Sequence, residues 1–300
     1  MIYINYKKIL ILSTIFVLIF SFSINAENQN WSVTDNISKN EGYVKYTIND
    51  ETQNWQSILE FPLDYFYYNL NIKKRIDYKY LKEINLNYSE NISQPENEFK
   101  DSDWIGINFS EEPNIYAETK AEMDYINYDI NLIIDKFSKN NFYFGGGYSY
   151  SKRNYLMTGG YQINYMDQTF FKFEENQKVI EYNIKTYKPY LQLALITNYS
   201  PISINGKIKY SPYIKIKDFD NHFLRNKTAR GSNNGYSFDI NINTEIKIKD
   251  NLKIITGYNY SYFKAKGIQT QTFQDGTKAN VNLENKLNDY SLNLGISYKY

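Results

Sequence analysis

The only histidine in the 300-residue chain, His222, lies in the segment Asp218-Phe219-Asp220-Asn221-His222. A carboxylate two residues from an imidazole can hold the ring in one tautomer and raise its basicity, the arrangement of a general base. A second acidic pair lies well upstream in Asp101-Ser102-Asp103-Trp104. Two carboxylates facing an Asp–His pair could hold a water between them and activate it against a peptide carbonyl, without a protein nucleophile or a metal. Taken singly the motifs say less. Asp-x-Asp in a surface loop usually caps backbone amides in a turn, and a lone exposed His is more often inert than catalytic. What decides is whether the rest of the chain can bring the two segments face to face.

The elements that would have to do so are strands. From Tyr236 to Lys249 every even position through Ile248 except Thr244 is apolar, and every odd one is polar or charged. At the C-terminus Leu292, Leu294, Ile296, Tyr298 and Tyr300 alternate with Ser291, Asn293, Gly295, Ser297 and Lys299. Period-two alternation gives a strand one apolar and one wet face. Strands of this kind closed into a ring cross a bilayer with every backbone hydrogen bond satisfied. The fold class expected is therefore all-β: a ten-stranded antiparallel transmembrane β-barrel with an extracellular extension. The strands fall at about 42–49, 54–72, 76–89, 117–138, 141–158, 178–198, 202–217, 229–249, 252–267 and 286–300.

The connections sort into short turns near Lys73-Lys74-Arg75, 138–140, Tyr199-Ser200-Pro201 and Asp250-Asn251, and, on the other side, a brief first one at 50–53 followed by longer ones at about 90–116, 159–177, 218–228 and 268–285. Outer-membrane barrels show this asymmetry, with short periplasmic turns and long outer loops. The two candidate motifs fall on the second and fourth outer loops, which rise from opposite walls of a ten-stranded ring. Ile214 and Ile216 share parity with Asp218, Asp220 and His222, so an unbroken strand would aim the motif at lipid. A bulge must intervene, and Pro212 is where it could begin. Pro62 likewise marks a bulge or an edge. Gly145-Gly146-Gly147 lies inside a strand, where it relieves crowding, and Lys207, Lys209, Lys215 and Lys217 read as lumen or rim charges.

Residues 1–26 have the form of a secretory signal peptide: Lys7 and Lys8, an apolar stretch from Ile9 to Phe22, and Ile24-Asn25-Ala26 as the cleavage site. The barrel domain is then 27–300. Without the two leader lysines the formal net charge goes from +1 to about −1, which argues against a polyanion-binding protein. The absence of cysteine excludes a lipid-anchored cysteine, a disulfide scaffold and a thiolate site. Its 32 tyrosines suit strands and membrane interfaces.

Strand count, loop placement and both acidic motifs together resemble the omptin family of outer-membrane proteases, ten-stranded barrels with Asp-x-Asp-Trp on the second outer loop and Asp-x-Asp-x-His on the fourth. Ser57-Ile58-Leu59-Glu60-Phe61 is similar to a stretch of that family's second strand, and Arg225 follows His222 as a basic residue does there. The resemblance implies that Asp220 and His222 are the activating pair and that Asp101 and Asp103 are the opposing carboxylates. Asp218 would line a pocket for a basic side chain. At the place of the pocket's second acid this chain has Tyr43, with Glu41 two residues earlier on the same face. The resemblance also implies a bacterial outer-membrane location with the site facing outward. It implies outer-membrane lipid, lipopolysaccharide included, and an extracellular peptide or protein as partners of a monomer, with no cofactor and no nucleic acid. The rival expectation is a non-catalytic barrel: an adhesin, a receptor or a narrow pore.

Overall fold

The computed structural model describes residues 31–50, 54–76, 78, 81–106, 112–137 and 141–299; the expected signal peptide lies outside them. Among the described residues thirteen strand segments run in chain order as β1 (Trp31–Asp50), β2 (Trp55–Pro62), β3 (Phe66–Arg75), β4 (Glu83–Asn91), β5 (Phe99–Ile105), β6 (Ile115–Phe137), β7 (Phe142–Asn164), β8 (Thr169–Lys172), β9 (Lys178–Tyr199), β10 (Ile202–His222), β11 (Lys227–Lys249), β12 (Leu252–Thr272) and β13 (Lys278–Lys299). All pairings are antiparallel, and β13 closes on β1 from Ser32↔Lys299 to Asn49↔Asn282. Because β2 and β3 both pair with β1, and β4 and β5 both pair with β6, each couple forms one interrupted stave. The ring therefore has ten staves, with β8 an added hairpin strand on β7.

The two interruptions lie side by side, and each contains a proline, Pro62 at the end of β2 and Pro95 between β4 and β5. Side chains replace the missing ladder bonds. Asp64 accepts from the amides of Glu96 and Asn97 at 3.1 and 2.7 Å, and Asn91 accepts from Tyr125 N and donates to Met123 O, both at 2.8 Å.

The outer connections are much shorter than the alternation implies. Between β10 and β11 lie only residues 223–226, and between β12 and β13 only 273–277. The expected long loops are strand, because staves of 20–23 residues run well past the roughly 9–11 needed to cross a bilayer. Above the lipid the outer face is free to be polar, so the apolar marker vanishes while pairing continues. In the other direction, the third stave begins at Glu83 rather than at 76.

Along the lower staves the expected faces hold. Ile204, Ile208, Tyr210, Ile242, Ile246, Leu292 and Leu294 point outward and are exposed, whereas Asn85, Asp129, Asn131 and Asp239 are buried in the lumen. The lumen encloses a polar cavity of about 320 Å³. Lys209 pairs with Asp129 at 3.1 Å, Lys188 with Asp239 at 2.8 Å, and the Tyr190 hydroxyl lies 2.8 Å from Asp129. Gly147 makes room for that tyrosine, since a Cβ there would meet its hydroxyl at 2.5 Å.

Higher up, the interior inverts. Every stave except β11 contributes to an apolar layer across the barrel that includes Val44, Tyr46, Phe61, Phe99, Met123, Tyr155, Tyr182, Ile214, Ile216, Phe263 and Leu283. Phe61 is its hub, with ring centroids 4.7–5.3 Å from those of Tyr182, Phe99, Tyr155 and Tyr46.

The face assignment makes a prediction. Ile240, partly buried on the outward face between Ile208 and Tyr260, should not tolerate arginine, whereas Asn241, bonded inward to Asn259 at 2.9 Å, should. A lipid-facing arginine at the midplane costs roughly 2–4 kcal/mol. Refolding yield into lipid should fall sharply for Ile240→Arg and little for Asn241→Arg; equal yields would contradict the assignment.

Candidate active site

The expected bulge is present. Pairing of β10 with β11 shifts between Ser211 and Ile214, and pairing with β9 shifts between Tyr210 and Lys215, so the irregularity brackets Pro212. Below it even-numbered Ile204, Ile208 and Tyr210 face lipid; above it Ile214, Ile216, Asp218, Asp220 and His222 are buried in the interior. The same shift turns Lys215 and Lys217 outward, whereas Lys207 and Lys209 stay in the lumen. Asp101 and Asp103 are likewise not on a loop. They sit on β5, paired with Leu59 and Ser57 of β2 and with Ala117 and Ile115 of β6. Both are buried, and Trp104 lies on the opposite face of the strand.

The walls meet above the apolar layer. His222 Nε2 lies 3.4 Å from Asp220 Oδ1. Arg225, on the short turn Phe223–Arg225, reaches back so that its Nη2 is 3.6 Å from Asp103 Oδ2. Ser57 Oγ donates to Asp101 Oδ1 at 3.1 Å, and Gln269 Nε2 donates to Asp220 Oδ2 at 3.1 Å. Among the described residues no three His, Cys, Asp or Glu side chains are grouped to hold a metal ion.

Burial governs the electrostatics. It pushes Asp101 up to about 7, with Asp103 adding to the effect against Arg225 and the Ser57 hydrogen bond. It pushes Asp220 up to about 6, opposed by Lys227, and Asp218 up to about 7, reinforced by Asp220. His222 moves the other way: burial, and then the charges of Lys227 and Arg225, hold its pKa well below 6.5. The upward shift that an adjacent carboxylate alone would cause is outweighed, and the imidazole is neutral at physiological pH.

Asp218 occupies a distinct spot. Its carboxylate faces the Tyr182 hydroxyl, the Gly231 amide and the Gln269 side chain, and Tyr46 faces Tyr182, but the carboxylate oxygens and both hydroxyls are buried short of good hydrogen-bond geometry. An unpaired buried polar group costs about 1–3 kcal/mol, and such groups need a reason. The tyrosine hydroxyls are driven far above their ordinary range by burial and by Asp218. Glu41 does not join them. It lies on the outer face of β1, where its carboxylate accepts from the Tyr290 hydroxyl at 2.7 Å, and Tyr43 is outward as well. Inward-facing positions on β1 are even-numbered here, so it is Tyr46, not Glu41 or Tyr43, that stands near Asp218. Lys227, Gln269 and Gln271 are functional-site neighbours that spacing did not reveal; the available signal was their polar character at inward positions of the outer staves.

Comparison with known proteins identifies the family. The model of the omptin family matches residues 38–300. The chain belongs to the omptin family. It is 25% identical over 226 residues to the plasminogen activator of Yersinia pestis, covering 67% of each chain. The crystal structure of the outer membrane protease OmpT from Escherichia coli superposes with a TM-score of 0.79 at 16% identity, covering 92% of this chain and 99% of that one. This omptin is thus an all-β barrel of the bacterial outer membrane, from a family of outer-membrane proteases, with its site at the extracellular end.

Asp218 can occupy its position only because its β11 partner, Gly231, has no side chain: a Cβ there would lie 2.3 Å from Asp218 Oδ2. Gly231→Ala should displace the carboxylate and lower stability by about 1–3 kcal/mol, as overpacking does. Urea unfolding of refolded protein checks this, and an unchanged midpoint would contradict the close contact.

Proposed function

We propose that this omptin is an active endopeptidase that hydrolyses extracellular peptides beside basic residues. The observation that carries the proposal is a buried imidazole, kept neutral, 3.4 Å from the Asp220 carboxylate, on the wall that Arg225 links to Asp103. In this reading His222 is the general base. Asp101 and Asp103 hold the water opposite it; His222 takes the water's proton as oxygen attacks the peptide carbonyl, and Asp220 stabilises the imidazolium that forms. Asp218 receives the basic side chain of the substrate, and the Tyr46 and Tyr182 hydroxyls accept its remaining N–H groups. The pocket has one acid, so its preference for Arg or Lys is weaker than that of a two-acid pocket. Lys215 and Lys217 project outward just above exposed Tyr213, suited to the phosphates of lipopolysaccharide as the surrounding lipid.

Refolded protein should cut Arg-Lys and Arg-Arg peptides in preference to Ala-Ala peptides. His222→Ala should lose roughly 10²–10⁴-fold in rate while the barrel folds, and Asp103→Ala a comparable amount. Full activity in His222→Ala would leave the non-catalytic barrel as the reading.

The pH dependence has a definite sign. Because His222 stays neutral, the acid limb of kcat/KM belongs to the carboxylates, and activity should fall as pH drops from about 7 through about 6. Protonation of Asp218 should appear in KM for basic peptides, which rises as pH falls through about 7. In Asp218→Asn that KM dependence should vanish; its persistence would place the titrating group elsewhere.

A further inference from the structure

One buried cation in the site has no part in the mechanism above. Lys227 opens β11 directly opposite His222 and is only 8% exposed. Its ammonium is joined to the activating carboxylate by an unbroken hydrogen-bond chain. Lys227 Nζ donates to Gln271 Oε1 at 3.5 Å, Gln271 Nε2 donates to Gln269 Oε1 at 3.1 Å, and Gln269 Nε2 donates to Asp220 Oδ2 at 3.1 Å. Gln269 and Gln271 are two residues apart on β12, so both point inward, and both are buried.

We propose that Gln269 and Gln271 are positioning residues that, anchored by Lys227, fix the rotation of the Asp220 carboxylate so that its second oxygen faces His222. The proposal rests on the reading of Asp220 and His222 as the activating pair.

A primary amide donates from one end and accepts at the other. With an ammonium at one end of the row and a carboxylate at the other, only one sense of both amides is favourable. Reversing either would set an NH₂ group against the ammonium or a carbonyl against the carboxylate. The row is therefore polarised in one direction, which strengthens each bond in a low-dielectric interior. Held at Oδ2, Asp220 keeps Oδ1 toward the imidazole without a direct bond to that atom.

Several other charges surround the row from Lys227 to Asp220. Asp101 and Asp103 come from β5, Arg225 from the turn and Asp218 from the strand of Asp220, while the Tyr182 hydroxyl approaches from β9. Burial and Arg225 lower Lys227, and Asp220, Asp101 and Asp103 oppose them.

The single histidine makes the test clean, because untagged protein gives one imidazole signal by NMR. Besides its own titration that signal should carry an inflection from Asp220, near pH 6 in the parent. Gln269→Met removes the donor to Asp220 and should move the inflection to higher pH. Lys227→Met should move it the same way and also raise the imidazole pKa by roughly a unit, and Lys227→Arg should restore both. In peptide hydrolysis Gln269→Met should lower kcat by roughly 10- to 100-fold, and the double variant with Lys227→Met should be no worse than Gln269→Met. If Gln269→Met does not refold, Gln271→Met carries the same test from one link further away. An inflection that stays at the parental pH, or losses that add in the double variant, would overturn the relay. A parent that cuts no peptide would overturn the protease reading instead, and the NMR titration would still decide the relay.

Discussion

The apolar layer across the barrel is the constraint on which the rest of the molecule depends. A ten-stranded ring is too wide to be filled by its own backbone, and its lumen below this layer is wet and polar. Phe61, Tyr46, Tyr155 and Tyr182 meet near the axis and close it. Burying such rings contributes stability in proportion to the area taken from water. The layer also gives the site a floor of low polarisability, and the upward displacement of Asp101, Asp218 and Asp220 follows from that burial. A layer of this kind also stands against an open pore.

Placing charged groups above an apolar floor requires the chain to change which side chains it turns inward. Within the membrane, inward means polar; just above it, inward means apolar, and then ionisable. On β10 one bulge at Pro212 performs the switch, moving Ile214 and Ile216 into the layer and the Asp218–His222 segment into the site. On β1 no such shift occurs: Ser38 and Asn40 line the lumen and Val44, Tyr46 and Ile48 the layer on one unbroken parity. That constancy is why Glu41 and Tyr43 are outside.

The same burial explains why the imidazole behaves contrary to a pairwise argument. A carboxylate beside a histidine in water would raise its pKa. In this site the loss of hydration and two nearby cations outweigh it, and His222 remains neutral. A neutral base beside carboxylates that ionise only near pH 6–7 places the whole pH response on the acids. Lys227, enclosed with them, balances part of the negative charge that burial makes costly.

Much of this was legible in the sequence, because alternation along a strand is a local property. Ten staves, the lipid-facing positions of β11 and β13, and the need for a bulge near Pro212 follow from side-chain parity alone. The site motifs were visible for the same reason, Asp101, Asp103, Asp218, Asp220 and His222 each standing two residues from the next within its segment. What parity could not reach was the part of each stave above the lipid, where outward residues are polar and the pattern fades though the ladder continues. Asp101 and Asp103 were therefore expected on a loop and are on β5. Tertiary structure alone decided which stave faces which: that Tyr46 rather than Glu41 stands by Asp218, and that Lys227 reaches Asp220 through Gln271 and Gln269. Those contacts join residues up to 172 positions apart, and their strengths depend on how much water the closed barrel excludes, a property no single segment carries.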